Sequence, residues 1–152
     1  IPLAAGIVSA LWDLFNESKD YAYNRKEVKG HGEGGNLVGA SLKGRKVLVV
    51  DDVITAGTAI RESFNILGKA EAQVVAIAVS LDRQEKPTDT ATCSAIQQVE
   101  QDFGIPVLSI VRLRHILGFL AGTSSSSAAE AAENARKMDS IRLYREKYGV
   151  GY

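Results

Sequence analysis

The sequence VLVVDDVITAGTAI, residues 47–60, joins an apolar run to two adjacent aspartates and then to a Thr-Ala-Gly-Thr turn. The β-branched residues 46–50 predict a strand. Residues from about Thr58 to Leu67 predict a helix that ends near Gly68. Adjacent carboxylates repel each other and turn glycines weaken regular structure, so a bound ligand would explain why both occur at the end of a buried strand.

The two ends of this stretch suit different parts of one ligand. Unpaired backbone N–H groups at a helix start carry partial positive charge and suit a phosphate. Gly57 lets the backbone approach closely, and Thr55 and Thr58 add hydroxyl donors. Asp51 and Asp52 offer acceptors for hydroxyl groups or a metal, so a sugar phosphate fits both ends. The simpler alternative is that Asp52 caps the helix and Asp51 is incidental.

Two other phosphate-binding patterns do not match. A Walker-type strand needs a companion G-x-x-x-x-G-K-[ST] loop, and the nearest segment, GGNLVGAS from Gly34, lacks the lysine. The dinucleotide pattern G-x-G-x-x-G also fails, because Gly32 and Gly34 are followed by Leu37 at the third glycine position.

Composition limits the class of protein. The 152 residues suit one domain, residues 1–152, and the 45% hydrophobic and 24% charged content is typical of globular proteins. A formal net charge of zero gives no general attraction to nucleic acid or acidic membranes. Cys93 is the single cysteine, so an intrachain disulfide is impossible and a reducing, cytoplasmic compartment is expected. We therefore predict neither a nucleic-acid nor a membrane partner.

The remaining pattern predicts an α/β fold. YAYN (21–24) is a short candidate strand, AQVVAIAVSLD (72–82) and PVLSIV (106–111) are core strands, and Ser94 to Phe103 forms a helix that stops at Gly104. A first helix should bury Trp12 and Phe15, and a charged helix should begin near Glu133. Alternating strands and helices favour a parallel sheet with helices on both faces, whose ligands sit at the carboxyl ends of the strands.

A glycine-rich, basic segment lies before the central stretch. NRKEVKGHGEGG (24–35) places Arg25, Lys26, Lys29 and His31 within seven residues, inside a long loop or exposed hairpin that spans 25–45. Such a cationic loop can close over a polyanion and stabilise charge on a leaving group. A solvated charged loop is the alternative.

Two further residues invite a functional or a structural interpretation. Arg83, in SLDRQE (80–85), follows a core strand and could bind a planar anionic group in bidentate fashion. A salt bridge with Asp82 or Glu85 is the alternative. His115 lies in the apolar run RHILGFL, where a structural role is expected rather than a catalytic one.

These motifs resemble those of a known family. VLVVDDVITAGTA resembles the phosphoribosyl pyrophosphate (PRPP) motif of type I phosphoribosyltransferases, and NRKEVKGHGEGGNLVG and SLDRQE are similar to the orotate phosphoribosyltransferases among them. The likeness runs from Ile1 to about Val111 and returns in YREKYGV (144–150). It implies the type I fold, a central, mainly parallel sheet flanked by helices. By this resemblance, the family's amino-terminal hood portion would be missing from this sequence.

The resemblance also implies roles for individual residues. Asp51 and Asp52 would hold the ribose 2′- and 3′-hydroxyls of PRPP, and Lys29 would share the catalytic work with them. Thr55 and Arg83 would contact orotate. The 5′-phosphate would be wrapped by Val53, Ile54, Thr55, Ala56, Gly57, Thr58 and Ala59, and the catalytic loop would contain Arg25, Lys26, Lys29 and His31.

The implied reaction converts orotate and PRPP into orotidine 5′-monophosphate and pyrophosphate, a step of pyrimidine synthesis. Mg²⁺ would be bound mainly through PRPP, without a dedicated protein metal site, and the loop would reach into the partner subunit's site in a homodimer. Two alternatives stay open. One is a PRPP-binding regulator without transferase activity, which would not need the cationic loop. The other is a transferase for a different base, against which Arg83 and the loop sequence count.

Overall fold

The structure is a computed structural model that describes residues 2–25, 37–124 and 127–150. Within these ranges the helices are α1 (Pro2–Phe15), α2 (Thr58–Lys69), α3 (Ala95–Phe103), α4 (Leu113–Gly122) and α5 (Ala128–Tyr148). The strands are β1 (Ala22–Asn24), β2 (Leu37–Gly39), β3 (Lys46–Val53), β4 (Gln73–Asp82) and β5 (Val107–Arg112).

The central sheet is parallel, with the strand order β3-β4-β5, as the alternation of strands and helices predicts. Strand β3 is longer than the predicted 46–50, because Asp51 and Val53 still pair with Val79 and Leu81 of β4. Asp51 and Asp52 therefore belong to the carboxyl end of the strand and are not the first residues of a loop. Their backbone is held by the neighbouring strand.

The core lies on one face of this sheet. Ile77 and Val79 of β4 pack with Ile60 of α2 and Val99 of α3, and all four side chains are almost fully buried. Side chains on the opposite face include Leu48, Leu108 and Ile110, which remain exposed. Helices α2 and α3 thus cover the core side of the sheet, and both begin at its carboxyl edge.

The sequence predicts the ends of the helices with different accuracy. Ser94 and Gln97 form a reciprocal capping box at the start of α3, and Gly104 ends it in the left-handed conformation, as predicted. Helix α2 continues through Gly68 to Lys69. Helix α5 begins at Ala128 rather than near Glu133, because the Ser127 hydroxyl caps it by accepting a hydrogen bond from the Glu130 N–H.

The expectation that α1 buries its aromatic residues is wrong. Trp12 is 56% exposed and Phe15 is 67% exposed. Helix α1 packs against β3, but no residue of this helix is fully buried. Apolar side chains occur around much of α1, so one contact surface leaves several of them outside.

Two leucines on helices provide a matched test of the core. Leu67 of α2 is 6% exposed and Leu143 of α5 is 66% exposed. Leu67→Ala is expected to lower the free energy of unfolding by about 2–5 kcal/mol, because it removes buried methyl groups and leaves a cavity. Leu143→Ala should change it by less than about 0.5 kcal/mol. Urea denaturation measures both, and equal losses would contradict the assigned core.

Candidate functional site

The two aspartates at the carboxyl end of β3 are not equivalent. Successive side chains of a strand point to opposite faces, so Asp51 shares the core face with Val49 while Asp52 lies on the other side. Asp51 is half-buried and Asp52 is exposed. The Asp51 Oδ1 accepts a hydrogen bond from the Asp52 N–H at 2.9 Å, and the Asp52 Oδ1 accepts one from the Val53 N–H at 2.8 Å.

Burial distinguishes the chemistry of the pair. Desolvation raises the pKa of Asp51 above its ordinary value, while the hydrogen bond from the Asp52 N–H lowers it and the neighbouring Asp52 carboxylate raises it. Burial thus disfavours the charged form of Asp51, at an edge where a hydroxyl donor would offset the lost hydration.

The turn that follows β3 is anchored by a buried residue at each end, and most residues between them are exposed to solvent. Ile54 and Ile60 are buried in the core cluster, whereas Thr55, Ala56, Thr58 and Ala59 are exposed. Helix α2 starts at Thr58, and no side chain caps it. The interpretation of Asp52 as the helix cap is therefore wrong. Unpaired N–H groups at a rigid, accessible helix start suit an anion.

Gly57 makes this turn possible. It occupies the N-cap position of α2 with φ 73° and ψ 5°, in the left-handed region where a β-carbon is unfavourable. A β-carbon placed on Gly57 would lie 3.2 Å from the Val99 Cγ2 of α3. The absence of a side chain lets the turn lie close against α3.

The basic segment starts beside a short antiparallel pair of strands. Asn24 of β1 pairs with Leu37 of β2, so these two residues lie side by side. Arg25 is exposed next to β1. The other cations predicted for the loop, Lys26, Lys29 and His31, lie outside the described residues.

Arg83 takes part in the salt bridge that the sequence left as an alternative. Its Nη2 lies 3.0 Å from the Glu85 Oε2, and the two side chains are 31% and 12% exposed. The Arg83 Nε and the Glu85 Oε1 are buried without a hydrogen-bond partner. Burial raises the pKa of Glu85, and the Arg83 charge lowers it. The sequence indicated Glu85 only as a salt-bridge partner of Arg83, and no ligand-binding pattern includes it.

His115 and Cys93 have structural positions. The His115 Nδ1 accepts a hydrogen bond from the Arg112 N–H at 3.3 Å at the start of α4, although the ring is exposed rather than buried. The Cys93 thiol is half-buried, 3.6 Å from the Gln98 Oε1. The structure thus gives His115 a hydrogen bond at the surface, and its structural rather than catalytic role stays a prediction.

A separate cavity of about 170 Å³ lies between α3 and β5. Charged side chains of both signs contribute to its wall, among them Asp82, Glu100, Arg112 and Arg114. Among the described residues, none from 51 to 59 lines it.

Within the same described ranges, no three His, Cys, Asp or Glu side chains form a metal-binding group, and no helix is long and apolar enough to cross a membrane.

The fold and the aspartate turn together define a class of protein. Residues 1–108 match the phosphoribosyl transferase domain family, and the chain belongs to that family. It is similar to curated orotate phosphoribosyltransferases: the protein of Marinobacter nauticus is 53% identical and that of Cellvibrio japonicus 51% identical, each over 150 residues. These matches cover 99% of this chain but only 65% of each relative, so the chain spans slightly less than two-thirds of the length of these relatives.

A solved structure agrees with these relatives. The crystal structure of an orotate phosphoribosyltransferase from Francisella tularensis matches this fold with a TM-score of 0.74 at 36% sequence identity. The likeness covers 97% of this chain and 62% of that one. The predicted type I fold, a parallel sheet flanked by helices, is therefore confirmed.

Proposed function

We propose that the protein acts as an orotate phosphoribosyltransferase, which transfers the 5-phosphoribosyl group from PRPP to orotate. The observation that carries this proposal is the uncapped start of α2, placed by Gly57 directly after the acidic end of β3. One ligand that carries both a phosphate and a vicinal diol satisfies both features. The similarity to curated orotate phosphoribosyltransferases supports orotate as the acceptor.

In this proposal the turn from Val53 to Ala59 binds the 5′-phosphate, with the exposed Thr55 and Thr58 hydroxyls as additional donors. Asp52, exposed at the strand end, accepts hydrogen bonds from one ribose hydroxyl. Asp51 holds the other hydroxyl from the core side of the edge. Arg83 binds the orotate carboxylate, and Thr55 contacts the base.

The chemistry requires little from the protein beyond position and charge. A ring nitrogen of orotate forms a bond to C1 of the ribose, the bond from C1 to pyrophosphate breaks, and its electron pair leaves with pyrophosphate. The proton that this ring nitrogen carries passes to the departing pyrophosphate, and no side chain is assigned as a general base. The negative edge formed by Asp51 and Asp52 fixes the sugar and favours the positive charge that develops on it.

Charge on the leaving group has two proposed partners. Arg25, Lys26, Lys29 and His31 belong to the loop that would neutralise pyrophosphate. Mg²⁺, when bound, supplies further neutralisation. The oxygen-rich edge at Asp51 and Asp52 suits this hard cation, but its main ligands would be the pyrophosphate and ribose oxygens of PRPP. A homodimer in which each loop serves the partner's site, and a cytoplasmic location, complete the proposal.

A base panel separates this function from its alternatives. The full-length protein, incubated with PRPP and Mg²⁺, is expected to consume orotate, followed by the fall in orotate absorbance, and to leave adenine and hypoxanthine unchanged. Turnover of another base instead of orotate would reassign the acceptor. PRPP binding without turnover of any base would favour the regulator.

A further inference from the structure

The ion pair at the end of β4 is incomplete in a specific way. Arg83 and Glu85 share one close contact, yet each has a second buried atom without a partner, the Arg83 Nε and the Glu85 Oε1. A bidentate pair between a guanidinium and a carboxylate would join the second atoms in the same way. Glu85 therefore contacts the guanidinium through the Nη2 alone, and the Arg83 side chain is still 31% exposed.

The backbone between the two side chains is strained and strongly held. Gln84 has φ 57°, a left-handed conformation that is uncommon for a residue with a side chain. Its N–H donates to the Asp82 Oδ1 at 2.8 Å, and its Oε1 accepts from the Arg114 N–H at 3.2 Å. The Glu85 carbonyl accepts from the Ala95 N–H at 2.8 Å. Such a conformation persists where the surroundings fix it, and here they do.

The end of the chain supplies the remaining hydrogen bonds. The Val150 N–H donates to the Gln84 carbonyl at 3.1 Å, and the Lys86 N–H donates to the Tyr148 carbonyl at 2.9 Å. Glu85 and Gly149 form an antiparallel bridge between these bonds. Val150 is buried. Residues 148–150, here termed the carboxyl-terminal clamp, thus form an isolated β-bridge with the segment that bears Arg83 and Glu85.

We propose that Glu85, held in place by the carboxyl-terminal clamp, is a positioning residue that orients Arg83 toward the carboxylate of the acceptor base. This inference rests on the proposed function. Glu85 itself touches no substrate; it restricts the guanidinium to one orientation and leaves its outer edge for the anion. Preordering of a long, flexible side chain lowers the entropy lost on binding.

Steady-state kinetics of the full-length protein test this role. Glu85→Ala is expected to raise the KM for orotate about 10-fold and to change the KM for PRPP by less than about two-fold. Glu85→Gln keeps an acceptor of nearly the same size and should recover part of the loss. Glu133→Ala removes an exposed carboxylate that is paired with Lys137 on α5, and it should leave both KM values unchanged.

A double-mutant cycle separates action through Arg83 from a general effect on folding. If Glu85 works through Arg83, then Glu85→Ala adds almost nothing to the orotate KM once Arg83→Ala is present. Full additivity, or an equal rise of both KM values in Glu85→Ala, would overturn the inference while the transferase function stands. Failure of the unaltered protein to consume orotate would instead overturn the proposed function and the base-directed role of Glu85 together.

The clamp has its own test. A β-carbon on Gly149 would lie 2.6 Å from the Arg145 carbonyl oxygen, so Gly149→Ala must shift the clamp. It is expected to raise the orotate KM about three-fold without a matching change for PRPP. Gly122→Ala, at a glycine with nothing near its β-position, is the control. Unchanged orotate KM in Gly149→Ala would show that the clamp does not support Arg83.

Discussion

Replacement of Asp51 and Asp52 together by asparagine is expected to lower kcat/KM at least about 10-fold, which corresponds to about 1.4 kcal/mol of transition-state stabilisation. Asparagine keeps one acceptor oxygen but loses the charge that favours the developing positive ribose. Asp139→Asn removes an exposed carboxylate of α5 and is the control, with no expected change. Unchanged kinetics in the double variant would contradict the role of this edge in holding the ribose.

The Asp51→Asn substitution by itself is expected to have an unusual effect on stability. Because the pKa of Asp51 is raised in the folded protein, the folded state binds the Asp51 proton more tightly than the unfolded state. Stability is then lost as pH rises from the ordinary aspartate pKa through the raised value, and the deficit persists at neutral pH. Asp51→Asn alone should therefore keep or raise the Tm at pH 7 while activity falls. A clear drop in Tm would indicate a structural role instead.

Gly57→Ala is expected to produce the second large loss, which falls mainly on PRPP. The left-handed conformation costs alanine about 1–2 kcal/mol, and the new methyl group meets the Val99 Cγ2 at 3.2 Å, so the turn must move. The KM for PRPP should rise about 10-fold, because the N–H groups no longer converge on the phosphate. Kinetics at saturating orotate measure this effect.

Gly68 is the matched control for Gly57. It lies near the other end of α2, and nothing stands within 4 Å of its β-position. Gly68→Ala should leave PRPP binding unchanged and stabilise the helix by about 0.5–1 kcal/mol. If Gly57→Ala lowers the Tm but leaves the KM for PRPP unchanged, the turn has a structural function only.

Local signals in the sequence were sufficient for the central part of the fold. The apolar runs of β3, β4 and β5 and the residues at the ends of α3 identify a parallel α/β sheet, because strand burial and helix capping depend on neighbours in the chain. The turn at Gly57 is predictable for the same reason. Sequence alone could not show that Asp51 is half-buried and Asp52 exposed, since this follows from which face α2 and α3 cover.

Contacts between distant segments account for what the sequence did not reveal. The carboxyl-terminal clamp, residues 148–150, pairs with residues 84–86, and no local sequence pattern predicts this bridge. Gln84 adopts a left-handed conformation without being glycine, because Asp82, Arg114 and Val150 fix it from outside. Trp12 and Phe15 have a helical spacing typical of a core, but the packing partner of a helix face is not encoded in that spacing.

The most direct test is a titration of the ¹⁵N-labelled protein with ribose 5-phosphate, followed by amide chemical shifts. Binding at the proposed site predicts that the largest shifts fall on Asp51, Asp52 and the amides from Thr55 to Ala59. Gly57→Ala should abolish these shifts. Unchanged amides in this turn, together with the largest shifts around the cavity between α3 and β5, would contradict the account.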